Sequence, residues 1–376
     1  MNNSGNSKKH ICIIGGGNIG TLLFSDLLLN ENAKVSLLTS KPEIWSEKIK
    51  VYNNKGVIVS EIFSGNISNN PSEIIPYADI IISTLPSNVF PEYFKTIKNK
   101  IKQGAWLGFM PGSGGVEFIC KELFEKDCVI FGFQRVHGIA RIREYGSSVY
   151  DLGKKKELYL GVIPNKMTND VCLTIQELIR IKCTPLANYL NVTLTPSNPI
   201  LHTTRLYSIF KSYKEGIYWD KQLNFYEDWT NESSEILLKC DNELQLILKK
   251  LSQINLDGIK PLSIHYESNT PSELTNKIRS IDAFKGIRTP MVETEFGFIP
   301  DFNSRYFTED FLFGLNIIKA FAEIILLDTP NIDMVLKWFE IATKQPVFNK
   351  TGDLIYNLPK KYGVKSINDI IEYYGK

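Results

Sequence analysis

The architecture of this chain turns on His10-Ile11-Cys12-Ile13-Ile14-Gly15-Gly16-Gly17-Asn18-Ile19-Gly20. An apolar, β-branched run reads as a buried strand, and the apolar positions Ile19, Leu22, Leu23 and Leu27 that follow read as a helix. Between them, the spacing of Gly15, Gly17 and Gly20 allows a tight turn, a close approach of backbone to a pyrophosphate, and close helix–sheet packing. The helix N-terminus then points its N–H groups at the phosphates, so Gly15, Gly17, Asn18, Ile19 and Gly20 form the candidate phosphate site. Glycines alone say little. Here a strand precedes them, a helix follows, and a second strand, Lys34-Val35-Ser36-Leu37-Leu38, comes about 20 residues later, which is the context a dinucleotide-binding unit requires. The competing reading is a turn that is merely glycine-rich.

Outward from this stretch, short apolar runs alternate with helical patterns up to about Asn191. Asp79-Ile80-Ile81-Ile82-Ser83, Ala105-Trp106-Leu107-Gly108-Phe109 and Cys128-Val129-Ile130-Phe131-Gly132 continue the series. Near-continuous apolar strands separated by helices predict a parallel sheet covered on both faces. Leu158-Tyr159-Leu160-Gly161-Val162-Ile163 extends the pattern, with pairing expected against the 141–150 region. Beyond Pro196 the texture becomes helical: Leu237, Cys240, Leu244, Ile247, Leu248 and Leu251 repeat at helical spacing, as do Ile317, Phe321, Ile324 and Ile325, and 334–341 gives another helix. Ser197-Asn198-Pro199 reads as a hinge or a helix start. The expected architecture is a Rossmann-type α/β dinucleotide-binding domain over residues 1–193, followed by an all-α domain over 194–376.

A chain of 376 residues fits two domains, and 43% hydrophobic with 22% charged residues is ordinary globular composition. A net charge of +2 offers no electrostatic case for nucleic acid or membrane partners. The polar start, MNNSGNSKKH, does not read as a signal peptide. The longest apolar stretch, Phe311 to Leu327, is interrupted by Lys319 and Glu323 and reads as a buried helix. Six cysteines lie scattered without zinc or redox spacing, as expected of reduced thiols in a cytoplasmic protein, and no metal site is expected.

The second strand ends in Leu38-Thr39-Ser40-Lys41-Pro42, with no carboxylate before Glu43. An acid there would hold a ribose 2′-hydroxyl. Thr39, Ser40 and Lys41 suit a 2′-phosphate instead, which favours NADP over NAD. The alternative is that they only cap the next helix, with Lys41 in solvent. Thr84-Leu85-Pro86-Ser87 and Met110-Pro111-Gly112-Ser113-Gly114-Gly115 follow strand C-termini, the edge where such sheets bind ligands, and put Leu85 and Pro86 among the cofactor contacts. The second loop either brings backbone close to a ligand or is a plain turn.

Four histidines limit the choice of acid/base. His10 sits in the first strand and reads as structural; His265, in a polar loop, reads as exposed. His137 follows the 128–132 strand. With Arg135 and Arg141, it either helps hold a substrate or is an exposed strand-end group. His202 follows the hinge, where a cleft between domains would place it, with a satisfied core histidine as the alternative. Late in the chain, Phe298-Ile299-Pro300-Asp301-Phe302-Asn303-Ser304-Arg305-Tyr306-Phe307-Thr308-Glu309-Asp310 sets an arginine five residues before an acid at a helix start. Arg305 has the forked geometry for a carboxylate. Asp310 either orients a histidine, pairs locally with Arg305, or sits in the first turn of a helix begun at Thr308.

Asn198-Pro199-Ile200-Leu201-His202, followed a hundred residues later by Asn303-Ser304-Arg305-Tyr306-Phe307-Thr308-Glu309-Asp310, resembles the opine dehydrogenases of the octopine and nopaline group. The likeness takes in the glycine loop, the 110–115 loop and the helical second half. It implies reductive joining of an amino acid to a 2-keto acid such as pyruvate through an imine, using NADH or NADPH. It also implies that His202 is the acid/base, Asp310 its paired carboxylate, and Arg305 the group that binds the keto-acid carboxylate. The 134–141 stretch does not match the family pattern, which leaves the amino donor open. Two other readings stand beside this one: a two-domain reductase of the ketopantoate or 2-hydroxy acid type, and a non-catalytic NAD(P)-binding regulator. The sequence does not set the oligomeric state, and a homodimer remains open.

Overall fold

The helix that opens at the glycine loop, Asn18–Leu28, is apolar on two faces because a sheet lies against each. Leu23, Phe24 and Leu27 pack with Ile11, Ile13, Val35 and Leu37 of one sheet. Leu22 packs with Val51, Ala140 and Val149 of the other, with Ile19 alongside. Burying each of these side chains contributes roughly 1.5–3 kcal/mol. The buried hydroxyls between them turn back on the backbone: Thr21 Oγ1 donates to Gly16 O (3.1 Å) and Ser25 Oγ to Thr21 O (2.9 Å).

The computed structural model describes residues 8–375, so the polar start read as no signal peptide lies largely outside the described residues. Two compact units divide the chain. One runs to Val192 and takes back the C-terminal end from Tyr374; the other is Thr193–Tyr373.

In chain order, the first unit holds β1 (Lys9–Ile14), β2 (Ala33–Leu38), β3 (Lys48–Tyr52), β4 (Ile58–Phe63), β5 (Asn66–Ser68), β6 (Ile80–Ser83), β7 (Trp106–Phe109), β8 (Val129–Phe133), β9 (Gly138–Glu144), β10 (Ser148–Lys154), β11 (Glu157–Ile163) and β12 (Lys182–Pro185). The main sheet runs β12-β11-β8-β7-β6-β1-β2-β5, parallel throughout except where β11 lies antiparallel to β8. The strand order reverses between β1 and β6, so the loops after these two strands lie side by side at the edge where open α/β sheets take ligands.

One expectation is corrected here. The 158–163 run does not pair with 141–150; it pairs with β8 and β12. The physical reason is burial. The second half of β11, Leu160–Ile163, is buried and suits a sheet covered on both sides, whereas β9 and β10 are buried mainly at one end and exposed at the other. They form a hairpin that joins β3 and β4 in a separate four-stranded sheet, order β4-β3-β10-β9. The second unit is helical as expected and also carries the short antiparallel hairpin β13 (Met291–Thr294) and β14 (Gly297–Pro300).

Tyr189 explains two glycines inside the main sheet. A Cβ on Gly132 would lie 2.5 Å from its hydroxyl, and one on Gly161 2.7 Å from its Cα. Tyr374 O–H donates to the buried Glu117 carboxylate at 2.7 Å, tying the C-terminal end into this unit. All six cysteines are buried and unpaired, and no helix among the described residues is long and apolar enough to cross a membrane.

Candidate active site

The glycine loop works through missing side chains. Gly15 has a left-handed φ of 105°, and Gly15 N–H donates to Leu38 O at 2.9 Å, which ties the turn to β2. Gly20 has no room at all: a Cβ there would stand 1.8 Å from Gly15 O. A Cβ on Gly17 would meet nothing within 4 Å, so the loop is open at that point. Gly17 caps the Asn18–Leu28 helix without a side-chain hydrogen bond, and no acid sits in its first turn. An uncapped positive helix end beside an open glycine fits a pyrophosphate. Asn18 Oδ1 accepts from Ile142 N at 2.7 Å, which fixes the side chain against the β9 strand.

The neighbouring loop closes in from β6. Thr84 N–H donates to Ile14 O at 2.9 Å, Thr84 Oγ1 bonds the same carbonyl, and a Cβ on Gly15 would approach Leu85 Cδ2 at 3.3 Å. Pro86 is half-buried beside it. At the end of β2, Thr39 is buried and shares a 2.8 Å hydrogen bond with the Tyr145 hydroxyl. Trp45 meets Tyr145 edge-on at 5.9 Å. Ser40 and Lys41 are exposed, and Lys41 makes no side-chain cap on the following turn. Trp45 and Tyr145, neither singled out in the sequence, come from the end of the Pro42–Ile44 turn and from the β9–β10 hairpin. Gly114 and Gly115 adopt φ of 91° and 71°, with Gly115 capping a one-turn helix, so that loop needs its glycines for the turn itself.

His137 corrects an expectation. It is completely buried rather than exposed at a strand end: Nδ1 lies 3.2 Å from Met110 Sδ and Nε2 3.3 Å from Asp26 Oδ2. Asp26 also takes Lys154 Nζ at 2.6 Å. Arg141 is exposed and donates to Ala140 O, while Arg135 is half-buried. His10 is held within the sheet by Ser36 Oγ at 2.8 Å, and burial lowers its pKa. His265 is exposed, at the end of a single helical turn.

The second unit assembles its site from three separated stretches. Ser197-Asn198-Pro199 begins the Ser197–Phe210 helix, which carries His202 near its middle. The late segment forms one helical turn, Arg305–Thr308, then the π-helical turn Phe311–Leu315, then Asn316–Ile324. Asp310 is therefore not in the first turn of a helix begun at Thr308. It stands between two turns, and its carbonyl accepts Leu315 N–H at 2.8 Å, the wide i→i+5 closure that often marks functional sites. Gly314 lets this turn press against the other helix, since a Cβ there would lie 3.1–3.2 Å from Pro199.

That approach brings His202 Nδ1 within 2.8 Å of Asp310 Oδ2, both side chains being largely shielded. His202 Nε2 lies 2.9 Å from the Tyr226 hydroxyl. Tyr306 covers the imidazole at 4.6 Å, and Phe225 meets it edge-on at 5.6 Å. Three residues beyond His202, Arg205 is buried and spends its guanidinium on the 225–233 stretch. Nε donates to Phe225 O (2.9 Å), Nη1 to Ser233 Oγ (3.0 Å) and Nη2 to Asp228 O (2.7 Å). Burial, partly offset by Asp228, draws its pKa down to about 10, so it stays charged at neutral pH.

Arg305 has a local partner, but it is not Asp310. Its Nε and Nη2 reach Glu309 Oε2 at 3.0 and 2.5 Å, one turn along the helix, and its side chain is 65% exposed. Glu309, not Asp310, is its local partner. The guanidinium end of this pair is exposed while the Glu309 carboxylate is only 16% exposed, so a competing carboxylate can reach Arg305 from the solvent side.

Known proteins resemble this chain in its helical domain, over its length and in its fold. Residues 185–343 match the family model of the alpha-helical domain of NAD/NADP octopine/nopaline dehydrogenases. The tauropine dehydrogenase of Arabella iricolor is 26% identical over 397 residues, covering 96% of this chain and 99% of the relative. The opine dehydrogenase of Haliotis discus hannai is 27% identical over 405 residues, covering 97% and 98%. A solved octopine dehydrogenase with NADH and L-arginine has the same fold, with a TM-score of 0.84 at 23% identity over 98% of both chains. The resemblance drawn from the Asn198–His202 and Asn303–Asp310 motifs is borne out.

Proposed function

We propose that this chain, whose helical half carries the octopine/nopaline dehydrogenase domain, is an opine dehydrogenase: an NAD(P)H-dependent oxidoreductase acting on CH–NH bonds. It joins an amino acid to a 2-keto acid, pyruvate or a similar one, and reduces the resulting imine to an N-(carboxyalkyl) amino acid. Residues 1–193 serve the cofactor and 194–376 the substrates. The observation that carries the reading is the 2.8 Å pairing of His202 with Asp310 in a helical unit of this family.

When bound, the nicotinamide supplies the hydride that the imine carbon accepts. Gly15, Gly17, Asn18, Ile19 and Gly20 hold the pyrophosphate through backbone at the uncapped helix end. Leu85 and Pro86 flank the same loop. Thr39, Ser40 and Lys41 serve the 2′ position, and with no carboxylate among them NADP is the favoured cofactor, NAD the alternative. Thr39 already bonds Tyr145, so the exposed Ser40 and Lys41 meet the phosphate. Comparing apparent KM values for NADH and NADPH tests this; a strong preference for NADH overturns the NADP assignment.

Condensation needs a proton moved in both directions. The amino acid's ammonium must lose one before its nitrogen attacks the keto carbon, and the departing hydroxyl must gain one to leave as water. Histidine suits both tasks near neutral pH. Asp310 accepts the Nδ1 hydrogen, sets the tautomer and stabilises the imidazolium that forms between the two steps. Arg305 grips the keto-acid carboxylate in a forked geometry, exchanging Glu309 for the substrate.

Unpaired thiols are what a cytoplasmic enzyme would keep reduced, which supports that location; light scattering reads whether it works as a homodimer. The deciding assay follows NAD(P)H oxidation with a panel of keto acids, with and without each of a panel of amino acids. Oxidation that requires both partners supports the proposal. Equal rates with the keto acid alone make the chain a carbonyl reductase instead, and cofactor binding with no turnover makes it a regulator.

A further inference from the structure

Both ring nitrogens of His202 are occupied. Nδ1 faces the Asp310 carboxylate at 2.8 Å, and Nε2 faces the Tyr226 hydroxyl at 2.9 Å. A carboxylate only accepts, so the neutral ring carries its hydrogen on Nδ1 and presents a lone pair at Nε2. Tyr226 therefore donates its O–H to Nε2. A substrate proton reaches the imidazole either after Tyr226 swings away or through the phenol oxygen.

Packing decides between these. Tyr226 is 4% exposed. Its ring stacks on Phe284 at 4.1 Å and 16°, runs parallel to Trp229 at 6.3 Å and 8°, and meets Phe225 edge-on at 4.8 Å. The backbone just before it is fixed at both ends, with Phe225 N–H donating to Ile287 O at 2.7 Å and Phe225 O accepting Arg205 Nε at 2.9 Å. Arg205 stands one turn after His202 on the same helix, so one element carries the base and also clamps the tyrosine against it. A ring stacked on two aromatic faces, behind an anchored backbone, does not rotate out for each turnover.

We infer that Tyr226 is the catalytic residue that exchanges protons directly with substrate, as the outer member of a Tyr226–His202–Asp310 relay. This rests on the opine dehydrogenase reading. As the ammonium gives a proton to the phenol oxygen, the phenol's own proton passes to Nε2, and Asp310 faces the resulting imidazolium. The freed nitrogen pair bonds to the keto carbon while the C=O π pair moves to oxygen, and a proton shifts from that nitrogen to that oxygen. The relay then reverses. The phenol proton goes onto the leaving hydroxyl, Nε2 returns its proton to the phenol oxygen, the C–O bond breaks, water departs, and the nitrogen lone pair forms the iminium.

Tyr226→Phe keeps the stacked ring and deletes only the hydroxyl. It is expected to lower kcat for condensation about 100-fold, with KM for both substrates changed less than about threefold and the thermal midpoint retained. The wild-type rate in H2O/D2O mixtures is expected to curve with isotope fraction, because two protons move, and the variant's to be linear. A variant kcat within about twofold of wild type overturns the relay, as does a raised KM at unchanged kcat. Nitrogen-15 spectra of the wild-type histidines give a reading independent of any variant. A hydrogen on Nδ1 of His202 supports the relay, and a hydrogen on Nε2 in the neutral ring overturns it. Wild-type protein that needs no amino acid for NAD(P)H oxidation overturns the underlying function, a result distinct from failure of the tyrosine.

Discussion

The glycine loop after β1 and the side-chain cluster around His202 solve opposite problems. The loop works because side chains are absent: Gly20 sits where a Cβ would stand 1.8 Å from Gly15 O, and the helix end beside it has no side-chain cap. The His202 site works because side chains are present and fixed. A carboxylate, a phenol and two aromatic rings surround one imidazole, held by a buried arginine that touches none of the reacting groups. Binding a large, constant cofactor asks for shape and dipoles. Moving protons asks for particular atoms at hydrogen-bond distance. Glycine nevertheless appears in both regions, since Gly314 allows the π turn to close on Pro199 and thereby sets the spacing of His202 and Asp310.

Substitutions that separate the two regions sharpen this contrast. His202→Ala is expected to lower kcat about 1,000-fold while leaving NAD(P)H affinity unchanged, read by steady-state rates and fluorescence titration. Gly20→Ala is the mirror case. Its Cβ meets backbone that cannot give way, so cofactor affinity is expected to fall at least about 100-fold, with a lower thermal midpoint. Arg305→Ala is expected to raise KM for the keto acid about 10–100-fold with kcat within a few-fold, because it removes a grip and leaves the proton path intact. Gly314→Ala should be mildest. Pro199 must shift by a few tenths of an ångström, and kcat is expected to fall about 10-fold or less, with cofactor affinity untouched. A Gly314→Ala enzyme that loses cofactor affinity instead would break the separation of roles.

The glycine loop was legible because its strand, turn and helix are contiguous, and each local preference agrees with the final fold. The four-stranded sheet was not. Lys48–Tyr52 buries only Ile49 and Val51, Ile58–Phe63 is largely exposed, and neither shows the apolar density that announced the main sheet. The π turn at Phe311–Leu315 also gave no sign, since the apolar run there reads as an ordinary buried helix.

His202 and Asp310 lie 108 residues apart, and only a family resemblance joined them before their geometry did. Tyr226 belonged to no motif. Its signal was indirect, an aromatic cluster at 225, 226 and 229 facing a helix that carries both a histidine and an arginine. The arginine's buried role becomes visible only once its three acceptors are seen together.

The most direct test follows atoms from both substrates into one product. Reduced cofactor deuterated at the transferable position is supplied with a 2-keto acid and a nitrogen-15-labelled amino acid, and the product is weighed and fragmented by mass spectrometry. A secondary amine with deuterium on the former keto carbon, bonded to nitrogen-15, is the expected result. A deuterated 2-hydroxy acid without nitrogen would contradict the assignment of this chain as an imine-reducing enzyme.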